Sequence, residues 1–262
     1  MALATVTLVG AVWGRASLVH AGSREEGHRL VSRSIGWTSR GLLVGGAEVT
    51  ESALIRHPEG DQERGWFWGT AELVSLVHHA ASRVAEASPG GARLQVGELS
   101  RQGGGDIPGH RSHENGRDVD LGFYFTDRGG ESIETDSFVP VRWHGKAAYR
   151  GKRIRFDDER NWHLVEALLS QTEVPVQYIF THPTIRKRLL RTARRLRVPT
   201  EIRERVRRVM LRAGTSNPHR NHFHVRVYCD PGDVPGCRDR GVVWKWVPDA
   251  FLGDPRTVRA KL

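Results

Sequence analysis

Gly109-His110-Arg111-Ser112-His113-Glu114-Asn115-Gly116-Arg117-Asp118-Val119-Asp120 runs from a glycine-rich loop into an alternating segment. From Asp118 to Phe125, Val119, Leu121 and Phe123 fall on one side, with Asp118, Asp120 and Gly122 on the other. A period of two marks a strand, here one that displays carboxylates on its polar face. Beyond the Asn217-Pro218 turn signal, His222-Phe223-His224-Val225-Arg226-Val227-Tyr228 repeats the pattern. Its two histidines share a face roughly 6.6 Å apart, while Phe223 points the other way, into the core.

The rest of the chain supplies layers for these strands. Ile35 to Val49 reads as a turn-rich strand pair. Thr70 can cap a helix whose apolar positions Leu73, Leu76, Val77, Ala80, Ala81 and Val84 keep helical spacing until Ser88-Pro89-Gly90-Gly91 stops it. Leu94, Val96 and Leu99 suggest another strand. Thr126 to Arg155 reads as a long polar excursion. A helix starting at Asp157 or Asp158 carries Trp162, Val165, Leu168 and Leu169 inward, and Val174 to Phe180 is a buried strand.

Two basic amphipathic helices follow. The first places Ile185, Leu189, Ala193 and Leu196 inward. The second opens at Pro199, buries Ile202, Val206, Val209 and Met210, and ends by Gly214. Helices alternating irregularly with hairpin-like strands indicate an α+β fold, with a small central antiparallel sheet flanked by helices. One domain is expected over residues 27–247, followed by a tail at 248–262. Residues 1–26 read as a signal remnant or a disordered start: Ala2 to Trp13 is apolar and Leu18-Val19-His20-Ala21 suits a cleavage site, although the first basic residue is Arg15.

Composition narrows the class. The 262 residues are 38% hydrophobic and 27% charged, ordinary for a globular chain, and no run of eighteen apolar residues suggests a transmembrane helix. The net charge is +10, and it is concentrated: Arg186 to Arg212 holds twelve basic residues against Glu201 and Glu204. Such a face is either a solvated helix surface or a site for a polyanion, whether nucleic acid, anionic lipid or an acidic wall polymer. The only cysteines, Cys229 and Cys237, do not match a Cys-x-x-Cys pair. Their spacing suits a short disulfide loop or two unrelated thiols.

Five of the thirteen histidines crowd two windows: His110 and His113, then His219, His222 and His224. Zinc favours imidazole and carboxylate ligands, and catalytic sites keep an open position beside three protein ligands. His113 on the loop and Asp120 on the strand can face one pocket if the loop folds back. One imidazole of the His-x-His pair can hold the metal while the other stays free for proton transfer, titrating near neutrality. Each piece alone is weak; together they indicate a metal site. Other hydrolase signatures are missing. His113-Glu114 begins like His-Glu-x-x-His, but Arg117 takes the last position, and there is no Gly-x-Ser-x-Gly, Ser-x-x-Lys or Walker loop.

The segments His110-Arg-Ser-His113-Glu-Asn-Gly-Arg-Asp118-Val-Asp120 and His219-Arg-Asn-His222-Phe-His224-Val-Arg226, in this order and separation, resemble the penicillin-insensitive murein endopeptidase family. That family belongs to the wider group of lysostaphin-like enzymes, D-Ala-D-Ala peptidases and the Hedgehog signalling domain. The likeness extends over Gly69 to Cys237, including Val176-Gln177-Tyr178-Ile179-Phe180. It implies zinc held by His113, Asp120 and His224, with His110 beside the metal as an added ligand or substrate contact. It makes His222 the catalytic imidazole and His219 a second pocket histidine. It also implies a Cys229–Cys237 disulfide. Two departures are Glu114, where the family commonly has Gln, and Asn221, where it often has an acidic or aromatic residue.

The activity implied is hydrolysis of D-alanyl-meso-diaminopimelate cross-links in peptidoglycan, in the periplasm or outside the cell. The alternatives are a D-Ala-D-Ala carboxypeptidase or dipeptidase of the same group, and an inactive zinc-containing wall-binding module. No specific nucleic-acid partner is expected.

Overall fold

The computed structural model describes residues 32–212 and 219–252, with the backbone of the short strand Val258–Arg259. The expectations for residues 1–26, for Gly214 and for the Asn217-Pro218 turn lie outside the described residues, as does most of the 248–262 tail.

Helices and small sheets are mixed, giving the α+β class. The sheet that matters has four strands in the spatial order Met210–Leu211, Val176–Phe180, His222–Val227, Asp118–Gly122. The two long contacts are antiparallel: His224 pairs with Asp120 and Arg226 with Asp118, while Phe180 pairs with His224 on the other side. Met210–Leu211 joins in parallel, so the sheet is mixed rather than wholly antiparallel. Met210 therefore belongs to a strand, because the second basic helix stops at Val209.

The two faces of this sheet differ in chemistry but not in burial. Val119, Leu121, Phe223 and Val225 are fully buried and face the hydrophobic core, where Phe123 packs edge-on against Phe223 and Phe156. The opposite face is also closed: Asp118 is 0% exposed and Asp120 4%. The alternation reports two buried environments, one apolar and one polar, instead of a core face and a solvated face.

Helix Ala71–Ala87 forms as its pattern requires. The Thr70 hydroxyl accepts from the Leu73 N–H at its N-terminus, and all six periodic apolar residues are buried. It packs against helix Asp158–Ser170, which the Asp157 carboxylate caps through the Arg160 N–H. The basic helices Pro183–Arg195 and Thr200–Val209 bury Ile185, Leu189, Ala193, Val206 and Val209. Leu196 is 37% exposed, because the first helix ends one residue earlier. Part of the Arg excess is structural: Arg188 pairs with Asp158, and Arg195 with Glu159 at 2.6 Å, tying this helix to its neighbour.

Two segments depart from the sequence reading. The polar excursion from Thr126 to Arg155 carries strands that its sequence did not signal, since Lys146–Tyr149, Lys152–Phe156, Phe125–Thr126 and Ser132–Ile133 form a second four-stranded sheet. Leu94 to Leu99 keeps only a two-residue strand, then runs beside Asp118–Gly122 through Gly97 N–H to Asp120 O (2.8 Å) and Asp120 N–H to Glu98 O (3.1 Å).

The strand pair expected over Ile35 to Val49 is the hairpin Arg33–Trp37/Arg40–Val44, while Ala47–Glu48 pairs instead with Trp68–Gly69; the hairpin docks on the C-terminal loop. Cys229 and Cys237 are disulfide-bonded. The loop they close receives the hairpin through Gly36 N–H to Gly236 O and Ser34 N–H to the Asp233 carboxylate, at 2.9 and 2.8 Å. Replacing both cysteines with alanine should therefore lower the unfolding free energy by about 2–3 kcal/mol. A fall in denaturant midpoint at unchanged slope would show it; an unchanged midpoint would mean the hairpin contacts hold the loop without the bridge.

Candidate metal centre

Backbone geometry first brings the loop onto the strand. Gly116 has φ +74°, and a Cβ there would lie 2.8 Å from the Leu43 side chain and 3.0 Å from the Thr70 nitrogen. Its carbonyl accepts from the Thr70 N–H at 2.9 Å, so the turn is wedged against the helix start. The chain then folds back, and His113, itself left-handed at φ 75°, lies fully buried over the sheet.

Three donor atoms converge there. His113 Nε2 lies 3.5 Å from Asp120 Oδ1 and 3.3 Å from His224 Nδ1, and the latter two are 3.4 Å apart. A tetrahedral ion bound at about 2.0–2.1 Å would hold its donors roughly 3.3–3.4 Å apart, so the triangle has the size of one tetrahedral face. The far nitrogen of each ring is already engaged: His113 Nδ1 with Leu99 O at 2.8 Å, His224 Nε2 with Asp118 Oδ1 at 3.0 Å. Those contacts select the tautomers whose lone pairs point into the triangle. Asp120 Oδ1 is buried and accepts no hydrogen bond. Two lone pairs and an unpartnered carboxylate oxygen in contact require a cation or a proton between them.

Charge in the pocket follows from this crowding. Burial works against ionising Asp120, but His222 first, then His113 and His224, outweigh it and hold the carboxyl well below the usual carboxylate range. Burial lowers the His113 pKa, yet Asp120 and then Asp118 reverse the sign and raise it. His224 stays lowered, by burial and by the charge of His113.

His222 lies one step along the strand, with Nε2 3.5 Å from Asp120 Oδ2. Its Nδ1 engages Asn221 Oδ1 at 2.9 Å, its ring stacks on Phe138, and the buried Nε2 makes no hydrogen bond. Burial, reinforced by its neighbouring histidines against the pull of Asp120, pushes its pKa down to about 4. This corrects the expectation of titration near neutrality. His219 is the second pocket histidine in position, with its ring 4.7 Å from that of His222 and 5.6 Å from that of His224. His110 groups with His113 and Asp120, their ligand atoms all within 4.8 Å, but its Nε2 is paired to Glu98.

All six expected site residues thus come together. Sequence reading missed the residues that hold them: Asp118, Glu98, Arg226 and Phe138. Asp118 was visible on the same strand face as Asp120, two positions before it. Glu98 had no local signal, because the pairing that brings it to His110 is between distant segments. The two departures have partners too: Glu114 accepts from the Gly41 N–H at 3.2 Å, and Asn221 contacts His222.

The family model described as penicillin-insensitive murein endopeptidase matches residues 34–245. A protein of that name from Haemophilus influenzae is 27% identical over 215 residues, 78% of this chain and 67% of its own length. One from Escherichia coli is 26% identical over 221 residues, 80% of this chain and 70% of its own.

Asp118 generates a test of the site's support. Its carboxylate takes the His224 Nε2 contact together with Arg226 Nε at 2.7 Å and the His113 N–H at 3.2 Å. Burial opposes its ionisation, and Arg226, then His224, outweigh that and hold it well below the usual range. A depressed carboxylate contributes stability that is complete above its unfolded value, near 4, and is lost as pH falls below it. Asp118→Asn should weaken metal affinity by about 10–100-fold and flatten the acid limb of the stability curve. Unchanged affinity in a metal titration would show that Asp118 does not support the site.

Proposed function

The chain belongs to the penicillin-insensitive murein endopeptidase family, and from that premise we propose that it is a zinc peptidase hydrolysing D-alanyl-meso-diaminopimelate cross-links in peptidoglycan. The observation that carries the metal is the 3.3–3.5 Å triangle of His113, Asp120 and His224. Two imidazole nitrogens and one carboxylate suit zinc better than the hard cations that prefer oxygen cages. His113, Asp120 and His224 are the proposed ligands, with His110 a neighbour restrained by Glu98. Bound zinc supplies Lewis-acid polarisation of the scissile carbonyl and makes hydroxide accessible near neutral pH.

The chain's own residues handle the proton. His222 is neutral at physiological pH, and its Nδ1–H donates to Asn221 Oδ1, which leaves the Nε2 lone pair directed into the pocket. Nε2 takes a proton from the attacking water and returns it to the amine nitrogen as the amide bond breaks. The two hydrogens of water thereby end on the new carboxyl or bulk solvent and on the new amine. Asp120 Oδ2, 3.5 Å away, favours the transient imidazolium. Phe138, stacked on the ring, limits its rotation and its access to water. His219, whose ring lies 4.7 Å from that of His222, is the proposed substrate contact beside it. The absence of a serine nucleophile motif fits cleavage that β-lactams do not block.

The Cys229–Cys237 disulfide and a peptidoglycan substrate together support a periplasmic or secreted location. Among the described residues no helix is long and apolar enough to cross a membrane.

The expected activity converts cross-linked muropeptide dimers to monomers in the presence of penicillin, stops with a strong chelator and returns with zinc. His222→Ala should retain zinc while losing about 10²-fold or more in rate. Dimer cleavage that persists after verified metal removal would overturn the mechanism. Release of free D-alanine alone would reassign the chain to a carboxypeptidase.

A further inference from the structure

A concavity of about 170 Å³, which takes Arg111 from the His110–His113 loop and Arg226 from the His-x-His strand, has a one-sided lining. Its charged side chains are all arginines, including Arg111, Arg226, Arg238 and Arg240; no Asp or Glu lines it. Arg226 is neutralised by Asp118, but Arg111, Arg238 and Arg240 are exposed and have no carboxylate contact among the described residues. Arg238 and Arg240 sit over the Trp37 ring, at 5.8 and 4.3 Å from its centre. A cation–π contact of this kind holds a guanidinium through its charge and does not use up its N–H donors, whose fork matches an oxyanion. The disulfide loop and the first hairpin hold this arrangement, since Arg238 N–H donates to Gly36 O at 2.9 Å. Gln177 fixes Arg240 from below, through Nε2 to its carbonyl at 3.1 Å.

Position connects this cleft to the chemistry. Arg226 follows His224 by two residues on the same strand face, a step of roughly 6.6 Å. Arg111 belongs to the His110–His113 loop. Extended peptide covers about 3.3–3.6 Å per residue, so a group one or two residues from the scissile amide reaches the arginines. Drug-sized ligands fill about 300–1,000 Å³, so this volume takes one group of a larger substrate.

We propose that the cleft formed by Arg111, Arg226, Arg238 and Arg240 is a carboxylate subsite, which anchors a free carboxylate of the peptidoglycan stem beside the scissile amide. The inference rests on the peptidase reading for the identity of its ligand. It makes the enzyme selective for stems whose carboxylates are ionised over stems in which they are amidated.

The test is equilibrium binding, by calorimetry, of a synthetic stem peptide ending in meso-diaminopimelate-D-alanine, with its carboxylates either free or amidated. Wild-type protein should bind the free acid at least about tenfold more tightly, the scale of a charge-assisted hydrogen bond. In Arg238→Gln/Arg240→Gln that ratio should collapse towards one, and Arg111→Gln, from a separate loop, should reduce it independently. Raised salt should narrow the wild-type ratio. Equal wild-type affinity for acid and amide, or a ratio unchanged in both variants, overturns the subsite. So does a variant defect confined to phosphodiester wall polymer. Dimer hydrolysis by the wild type is scored separately: its failure would overturn the peptidase reading, whereas the acid-to-amide ratio judges the subsite without any turnover.

Discussion

The buried carboxylate of Asp118 is the contact on which the site depends. It lies between two neighbouring strands, and it accepts from the His224 ring, the Arg226 guanidinium and the His113 backbone at once. An isolated carboxylate in such a place would be strongly unfavourable. Here the His-x-His strand contributes two donors, the loop contributes one, and the carboxylate strand supplies the acceptor, so the charge is stable only when all three are assembled. The same contacts orient the His224 ring and anchor the backbone of His113. Fold and metal centre are therefore stabilised by one network, in the way outer-shell partners orient metal ligands generally.

Much of the fold was legible because it is local. The helix Ala71–Ala87 shows its cap, its apolar period and its stop between Thr70 and Gly91, and all agree with the structure. For Asp158–Ser170 the start and the inward positions Trp162, Val165, Leu168 and Leu169 agree as well. What escaped was set by distant partners. The second sheet inside Thr126 to Arg155 consists of strands of two to five residues, too short for a period to stand out from a polar background. Met210 looked like one more inward helix position, but its parallel pairing with Ile179 draws it into the sheet. Leu196 kept the helical spacing past the point where the helix ends.

The site was legible to a similar depth. Residue types and spacing in two windows were enough to gather His110, His113, Asp120, His219, His222 and His224. They could not reveal that His110 is held by Glu98, or that burial shifts His222 far from its ordinary titration range. Both effects come from elements remote in sequence: Glu98 from the segment beside Asp118–Gly122, and Phe138 from the polar excursion. The arginine-lined cleft has the same origin, since Trp37, Arg111, Arg226 and Arg240 meet only after the disulfide loop docks on the first hairpin.

The proposed chemistry depends on one ion held in the triangle of His113 Nε2, Asp120 Oδ1 and His224 Nδ1. X-ray absorption at the zinc edge of the reconstituted protein measures that directly. The expected spectrum is that of a four-coordinate ion with two imidazoles and light-atom donors at about 2.0–2.1 Å, with one imidazole signal lost in His224→Ala. A sulfur donor, or an unchanged spectrum in that variant, would contradict it.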